Sequence, residues 1–295
     1  MIDWDAIVAA INNAIPTHFE FSRIAPLSGG CINQTYRISS RDNRHFFIKL
    51  NTADKREMFA AESHGLGEIA ATHTIRVPQA VAHGIAGAHS FLVLENLELG
   101  GRGNATLLGQ QLAALHRNAA PKFGFARANT IGATPQHNNW QADWLTFWCE
   151  QRLGFQLELA ANNGYAGELQ LLGRQLMTKM PEFFAGYQPQ ASLLHGDLWS
   201  GNHAYTVDGL PVLFDPASYY GDREADLAMT ELFGGFGQEF YAAYRAAWPL
   251  DTGYARRKPL YNLYHILNHA NLFGGVYVRQ AKGMMQQLLE PRNRS

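Results

Sequence analysis

Asp197 stands five residues before Asn202, and Asp215 follows Asn202 by 13, at the end of the apolar run Val212-Leu213-Phe214. Acid, amide and second acid at this spacing suit phosphoryl transfer on a kinase-like scaffold. The first carboxylate orients or deprotonates an attacking hydroxyl, while the amide and the second carboxylate hold Mg²⁺ against nucleotide phosphates. Between them, two apolar runs flank Asp208-Gly209, the pattern of a β-hairpin with a type I′ turn. Such a hairpin carries Asp215 back towards Asn202. Asp, Asn and Gly are also ordinary turn formers. The context favours chemistry: a short apolar run, Leu193-Leu194, precedes the motif, and the hairpin after it ends in another acid.

Upstream residues extend the pattern. Residues 44–50 read as a strand with Phe46, Ile48 and Leu50 on one face and Phe47 and Lys49 on the other. Glu62 lies 13 residues after Lys49, in a helix expected from Asp54 to about Ala71, with Asp54 and Glu57 as a capping box. In a kinase-like site a strand Lys contacts the α- and β-phosphates and a helix Glu holds it. Glu57 is the rival partner, although its position suits the helix N-terminus. Ser28-Gly29-Gly30-Cys31 falls between two expected strands. Gly29 and Gly30 let backbone N–H groups approach phosphates, though a plain hairpin turn fits equally. Cys31 puts a thiol in that loop, where N–H groups and Lys49 would favour a redox-active thiolate; a buried packing role is the alternative. Glu95-Asn96-Leu97 follows the apolar strand 91–95 and would line an adenine pocket at the crossover, unless it is an ordinary strand end. Asp226 follows Asp215 by 11 residues and could brace the catalytic loop, with helix capping better suited to Asp222.

These residues need a particular frame. The first third reads as strand-rich with one internal helix, after an amphipathic N-terminal helix capped by Asp3. Leu99-Gly100-Gly101-Arg102-Gly103-Asn104 reads as a linker. Helices follow around Leu108–Leu115, Trp140–Leu153, 167–180, 222–247 and 256–289. The expected class is α+β: a protein-kinase-like two-lobed fold with a small N-terminal antiparallel-sheet lobe, residues 1–98, that binds nucleotide. A larger, mainly helical lobe, residues 99–295, carries the catalytic loop and the acceptor site.

Composition narrows the partners. The 295 residues are 46% hydrophobic and 17% charged, with a formal net charge of −1. No long Lys/Arg run invites nucleic acid. No apolar run approaches the ~20 residues of a membrane span. The acidic start Met1-Ile2-Asp3-Trp4-Asp5 is unlike a signal peptide. Two cysteines, Cys31 and Cys149, make no disulfide framework, so a cytoplasmic setting is expected. Two lookalikes fail. Gly65-Leu66-Gly67 sits inside a helix, not after a strand, and His265 with His269 lacks a third metal ligand.

Across nearly its whole length the chain resembles the fructosamine kinase, or ketosamine-3-kinase, family within the aminoglycoside-phosphotransferase-like superfamily. The resemblance rests on Ser28 to Ile32, Phe47-Ile48-Lys49, Met58 to Glu62, Leu108 to Arg117 and Phe123-Gly124-Phe125. Its most specific part is His195-Gly196-Asp197-Leu198-Trp199-Ser200-Gly201-Asn202, Phe214-Asp215-Pro216-Ala217 and Tyr220 to Met229. Tyr261 to His269 and Phe273-Gly274-Gly275 complete it. The resemblance implies transfer from ATP, with Mg²⁺, to the 3-hydroxyl of a ketoamine, either a small molecule or protein-bound. The 3-phosphate then eliminates and frees the amine, which is deglycation. It also implies structural support from His195, with Trp199 as an apolar wall for the sugar. A related kinase for an aminoglycoside, choline or another small alcohol is the alternative, and a nucleotide-binding protein without turnover is a further one.

Overall fold

The computed structural model describes residues 1–27 and 32–290. Gly29, Gly30 and Cys31 therefore lie outside the described residues. The N-terminal lobe is built on one antiparallel sheet. Its strands are β1 (Phe21–Leu27), β2 (Gln34–Ser40), β3 (His45–Thr52), β4 (Ala80–Ala86) and β5 (His89–Glu95), in spatial order β1-β2-β3-β5-β4. Alternation along β3 divides its side chains between two cores. Ile48 and Leu50 join Ile38, Phe91 and Val93 beneath helix α1 (Trp4–Ala14), which contributes Ile7 and Ile11. On the other face, Leu92 and Leu94 pack with Phe59, Leu66 and Ile69 of helix α2 (Arg56–Ala71), and Lys49 emerges there beside α2. Asp3 caps α1 by accepting the Ala6 N–H at 3.0 Å. The capping box expected at Asp54 does not form. Ala53–Lys55 makes a 3₁₀ turn, and α2 starts only at Arg56 without a side-chain cap. Asp54 instead pairs with its neighbour Lys55 at 3.3 Å.

The C-terminal lobe is mainly helical. It comprises α3 (Ala105–His116), the small hairpin β6 (Asn129–Ile131) and β7 (Thr134–Gln136), α4 (Trp144–Trp148), α5 (Phe155–Asn162) and α6 (Glu168–Phe183). A π-helical turn, Cys149–Gly154, joins α4 to α5. Then come β8 (Ser192–Leu194), β9 (His203–Tyr205), β10 (Pro211–Leu213), β11 (Tyr219–Gly221), α7 (Glu224–Leu232), α8 (Gln238–Ala247), α9 (Tyr254–Phe273) and α10 (Val276–Leu289). The stretches 222–247 and 256–289 are thus each two helices, not one. Backbone with positive φ at Gly234, Gly235 and Gly237, and at Gly274 and Gly275, interrupts them.

The hairpin expected between Asn202 and Asp215 is β9–β10, with Leu213 opposite His203. Its turn differs from the expected type I′, which requires positive φ at both central residues. Only Gly209 has it, at 84°, and Asp208 does not. Thr206 C=O accepts the Gly209 N–H at 2.8 Å and Thr206 N–H donates to Leu210 C=O at 2.9 Å. The loop is therefore longer, and Asp208 avoids the left-handed conformation that costs an L-residue about 1–2 kcal/mol.

The segment between the lobes is not loose. Gly100 N–H donates to Tyr205 C=O at 3.0 Å, Val207 N–H to Glu98 C=O at 3.1 Å, and Leu213 N–H to Arg76 C=O at 3.0 Å. Gly101 runs so close that a Cβ there would lie 2.0 Å from Thr206 O. Any larger residue would push the connection off the hairpin.

Deeper in the lobe, Arg257 of α9 makes a two-pronged contact with Glu224 of α7, at 2.7 and 2.9 Å, and a third with Asp251 at 2.7 Å. Arg257 and Glu224 are both buried. Removing one partner of such a pair leaves an uncompensated charge, which costs about 3–5 kcal/mol. Arg257→Met is expected to lose stability on that scale, read from urea unfolding. A midpoint equal to wild type would show that the pair does not secure α7.

Candidate active site

The loop carrying Asp197 and Asn202 hangs between β8 and β9, and three features fix it. Gly196 has φ of 85°, and a Cβ there would sit 2.1 Å from Ala217 O, so only glycine fits. The N–H groups of His195 and Gly196 donate to the two carboxylate oxygens of Asp226, at 2.7 and 2.8 Å. His195, fully buried, bridges two segments: its Nε2 lies 2.9 Å from Phe214 O, and Asp197 N–H points at its Nδ1 at 3.3 Å. These partners require the neutral tautomer with the proton on Nε2. Burial lowers the His195 pKa and agrees with that state. One imidazole thus spaces Asp197 from the segment leading to Asp215.

Asn202 closes the loop. Its Nδ2 donates to the Asp197 backbone oxygen at 2.9 Å and to Asp197 Oδ2 at 3.2 Å. Its backbone oxygen accepts the Phe214 N–H at 3.1 Å. Burial pushes the Asp197 carboxyl up to about 7; the Asp215 charge adds to this and the Asn202 hydrogen bond opposes it.

Asp215 has φ of 58°, rare for a residue with a Cβ. Held strain of this kind costs on the order of 1–3 kcal/mol and persists where the surroundings impose it. Here it follows the end of β10 and turns the carboxylate to Lys49. Lys49 Nζ lies 2.5 Å from Glu62 Oε1 and 2.6 Å from Asp215 Oδ1. Burial opposes the ammonium charge, but Glu62 and Asp215 outweigh it and raise the pKa of Lys49. The lysine is therefore charged and shared between α2 and the catalytic hairpin.

The donor set fits a hard divalent cation. Asn202 spends its Nδ2 on Asp197, leaving the amide oxygen, and the Asp215 carboxylate is about half exposed. Mg²⁺ takes one or two protein oxygens and completes its shell with phosphates and water. Among the described residues no group of three His, Cys, Asp or Glu could hold a metal. His265 and His269 are joined instead by a 2.8 Å contact from His269 Nδ1 to the His265 backbone oxygen.

Comparisons with known proteins identify the family. The sequence pattern of the family described as fructosamine kinase matches residues 3–291. The chain belongs to the fructosamine kinase family. A probable ketoamine kinase of Synechocystis is 48% identical over 290 residues, 97% of each chain. A chloroplastic protein-ribulosamine 3-kinase of Arabidopsis thaliana is 41% identical over 92% of this chain and 83% of its own. The crystal structure of a Haemophilus somnus protein, provisionally named a fructosamine-3-kinase, superposes with a TM-score of 0.88 at 30% identity, covering 97% of this chain and 98% of that one. An ADP-bound aminoglycoside phosphotransferase, 12% identical with a TM-score of 0.64, shares the fold alone.

In this member of the fructosamine kinase family, Asp197, Asn202, Asp215, Lys49, Glu62, His195 and Asp226 form one connected set. Trp199 is 39% exposed, and its ring covers Gly201, where a Cβ would lie 2.2 Å from it. Glu95 ends β5 at the crossover between the lobes. Its carboxylate bonds Arg76 and the Gln79 N–H, and its own N–H donates to Gln79 C=O at 2.8 Å. The Glu95 N–H is committed within the lobe, and Leu97 is partly exposed beyond it.

His116 escaped the sequence reading as an individual residue. It is buried, with Nε2 3.1 Å from Asp226 Oδ2 and Nδ1 2.8 Å from Tyr244 Oη. Gln136 and Asn129 hold the backbone oxygens of Ala217 and Ser218 at 3.0 and 2.8 Å, fixing the chain after Asp215. No local signal reveals partners some 80–110 residues apart.

Lys49→Met is expected to impair ATP use severely and Glu62→Gln more mildly. Residues acting as a unit are not additive. A double-mutant cycle on kcat/KM for ATP should therefore give a coupling energy of about 0.5–3 kcal/mol. A cycle that sums to zero would return Glu62 to a packing role.

Proposed function

We propose that this protein transfers the γ-phosphoryl group of ATP to the 3-hydroxyl of a ketoamine, a fructosamine or ribulosamine adduct. The observation that carries the reading is the joined Lys49–Glu62–Asp215 and Asp197–Asn202 arrangement in a chain of this family. Asp197 accepts the proton of the attacking hydroxyl and aims it. Lys49, charged and braced by Glu62, draws the α- and β-phosphates. Asn202 and Asp215 would hold Mg²⁺, which neutralises charge on the phosphate oxygens. His195 and Asp226 keep the loop in place, and Trp199 forms an apolar side for the sugar. Gly29 and Gly30 would cover the phosphates, and Asn96 to Leu97, with the Glu95 backbone oxygen, would frame adenine. The nucleotide lobe would end at residue 98, where the connection meets the hairpin. A cytoplasmic setting is part of this reading, and the Cys149 thiol, its pKa pushed up to about 11 by burial and nearby acids, is held protonated.

The test is an ATP-consumption screen over free and lysine-borne fructosamines and ribulosamines, aminoglycosides and choline, with product NMR to locate the phosphate. Turnover confined to aminoglycosides or choline would overturn the ketoamine reading. Nucleotide binding without turnover of any acceptor would overturn the enzyme itself.

Asp197 also dictates a pH dependence. A base works deprotonated, and this one carries a raised pKa of about 7. We expect kcat/KM for MgATP to fall towards tenfold per pH unit below that value. A cation at Asp215 removes the like charge, so kcat should hold to lower pH. A kcat/KM profile flat from about pH 5 to 8 would contradict the assignment of Asp197 as base.

A further inference from the structure

Helix α2 turns Glu62 towards Lys49. At about 100° per residue, Ser63 and His64 face progressively away from the cleft. A cavity of about 370 Å³ opens on that far side. It is lined by Ala60, Ser63 and His64 of α2, His83 of β4, and Ala126 and Arg127 of the C-terminal lobe. Its functional groups can all donate hydrogen bonds: a guanidinium, two imidazoles and a hydroxyl. His64 Nε2 is buried there with no hydrogen-bond partner, an uncommon state for a ring nitrogen. Burial lowers the His83 pKa, the charges of Arg127 and Arg56 act in the same direction, and Glu57 opposes them. The counter-charge is weak. Glu57 Oε2 lies 3.8 Å from Arg127, and its side chain is 76% exposed.

We propose that this pocket behind α2 binds a phosphate dianion, free or carried on a sugar, and that its occupation strengthens nucleotide binding in the cleft. Arg127 supplies the planar donor fork that suits phosphate oxygens. Ser63 and the two imidazoles supply the remaining donors, His64 after a small ring rotation. The coupling follows from where these groups sit. Arg127 belongs to the C-terminal lobe, and Ser63 and His64 to the helix that carries Glu62. A bound dianion ties the two together, where an exposed Glu57–Arg127 pair holds them loosely at present. Two further contacts already run the same way: the Tyr220 hydroxyl donates to Glu68 at 3.3 Å, and the Phe125 ring lies 5.1 Å from His64. Fixing α2 there fixes Glu62 against Lys49, which the nucleotide needs.

The experiment titrates inorganic phosphate and, separately, ribose 5-phosphate at constant ionic strength. The samples are wild type, Arg127→Ala and His83→Ala, each saturated with MgAMP-PNP so that the cleft is filled. Histidine imidazole resonances report binding. Both substituted side chains are surface-exposed, and circular dichroism checks the fold. Saturable binding is expected in wild type, weakened tenfold or more by Arg127→Ala. Tighter ribose 5-phosphate would name a sugar phosphate as the ligand, and tighter inorganic phosphate the free anion. The Kd of AMP-PNP should fall in the presence of the anion, and by linkage the anion should bind more tightly with nucleotide present, by the same factor. Competition inside the cleft would change the nucleotide Kd in the opposite direction. Non-saturable shifts, or the same titration in Arg127→Ala, would mean an adventitious ion only and overturn the site. Saturable binding with an unchanged or raised nucleotide Kd would overturn the coupling.

Discussion

Asp197→Asn is expected to lower kcat by about 10²-fold or more while leaving the affinity for ATP near its wild-type value, the scale of a positioned acid–base group. The substitution preserves shape. The backbone N–H to His195 and the backbone oxygen that accepts from Asn202 are unchanged. What disappears is the carboxylate that takes the hydroxyl proton. ATP meets Lys49 and Asp215 instead, so its binding should survive. Steady-state kinetics with fluorescent-nucleotide titration separates the two quantities. Wild-type turnover in a folded Asp197→Asn protein would remove this residue from the reaction.

Asp215→Ala should abolish Mg²⁺-dependent turnover and weaken MgATP binding, because a hard cation loses its only charged ligand in the proposed set. Asn202→Ala should act in the same direction and less severely, since a neutral oxygen is lost. Asp215 is also one of the two anions on Lys49. Its removal leaves Lys49 to Glu62 alone, so the protein without nucleotide should remain folded. Initial rates over a Mg²⁺ titration provide the check. Overlaying curves for wild type and both variants would sink the metal assignment.

Much of the candidate site was legible because spacing and context together pointed to it. Lys49 on a strand, Glu62 on the next helix, and a hairpin between Asn202 and Asp215 are local patterns, and local patterns survive folding. The expected helices broke where glycines occur as pairs or clusters, at 233–237 and 274–275, because helical periodicity continues through them while the backbone does not. The capping box at Asp54 failed for a related reason: a 3₁₀ turn consumed the residues meant for the first helical turn. The turn type at Asp208-Gly209 was misread because the dipeptide is common to several hairpin loops. His116 was out of reach. Its partner Asp226 is 110 residues away, and a histidine at a helix C-terminus also suits the helix dipole. Glu95 ends β5 as the apolar run 91–95 implied, while its partners Arg76 and Gln79 were invisible in the sequence.

The pairing of the interlobe connection with the catalytic hairpin has a mechanical consequence. A stretch containing Gly100, Gly101 and Gly103 looks like the natural place for a protease to cut. Yet cleavage needs several residues of backbone released from structure, and Glu98 to Gly100 are bonded to Tyr205 and Val207. The connection should resist nicking as long as β9–β10 is folded. The halves of this molecule would then not survive as separate fragments. Whatever motion admits nucleotide has to pivot elsewhere than on this glycine-rich connection.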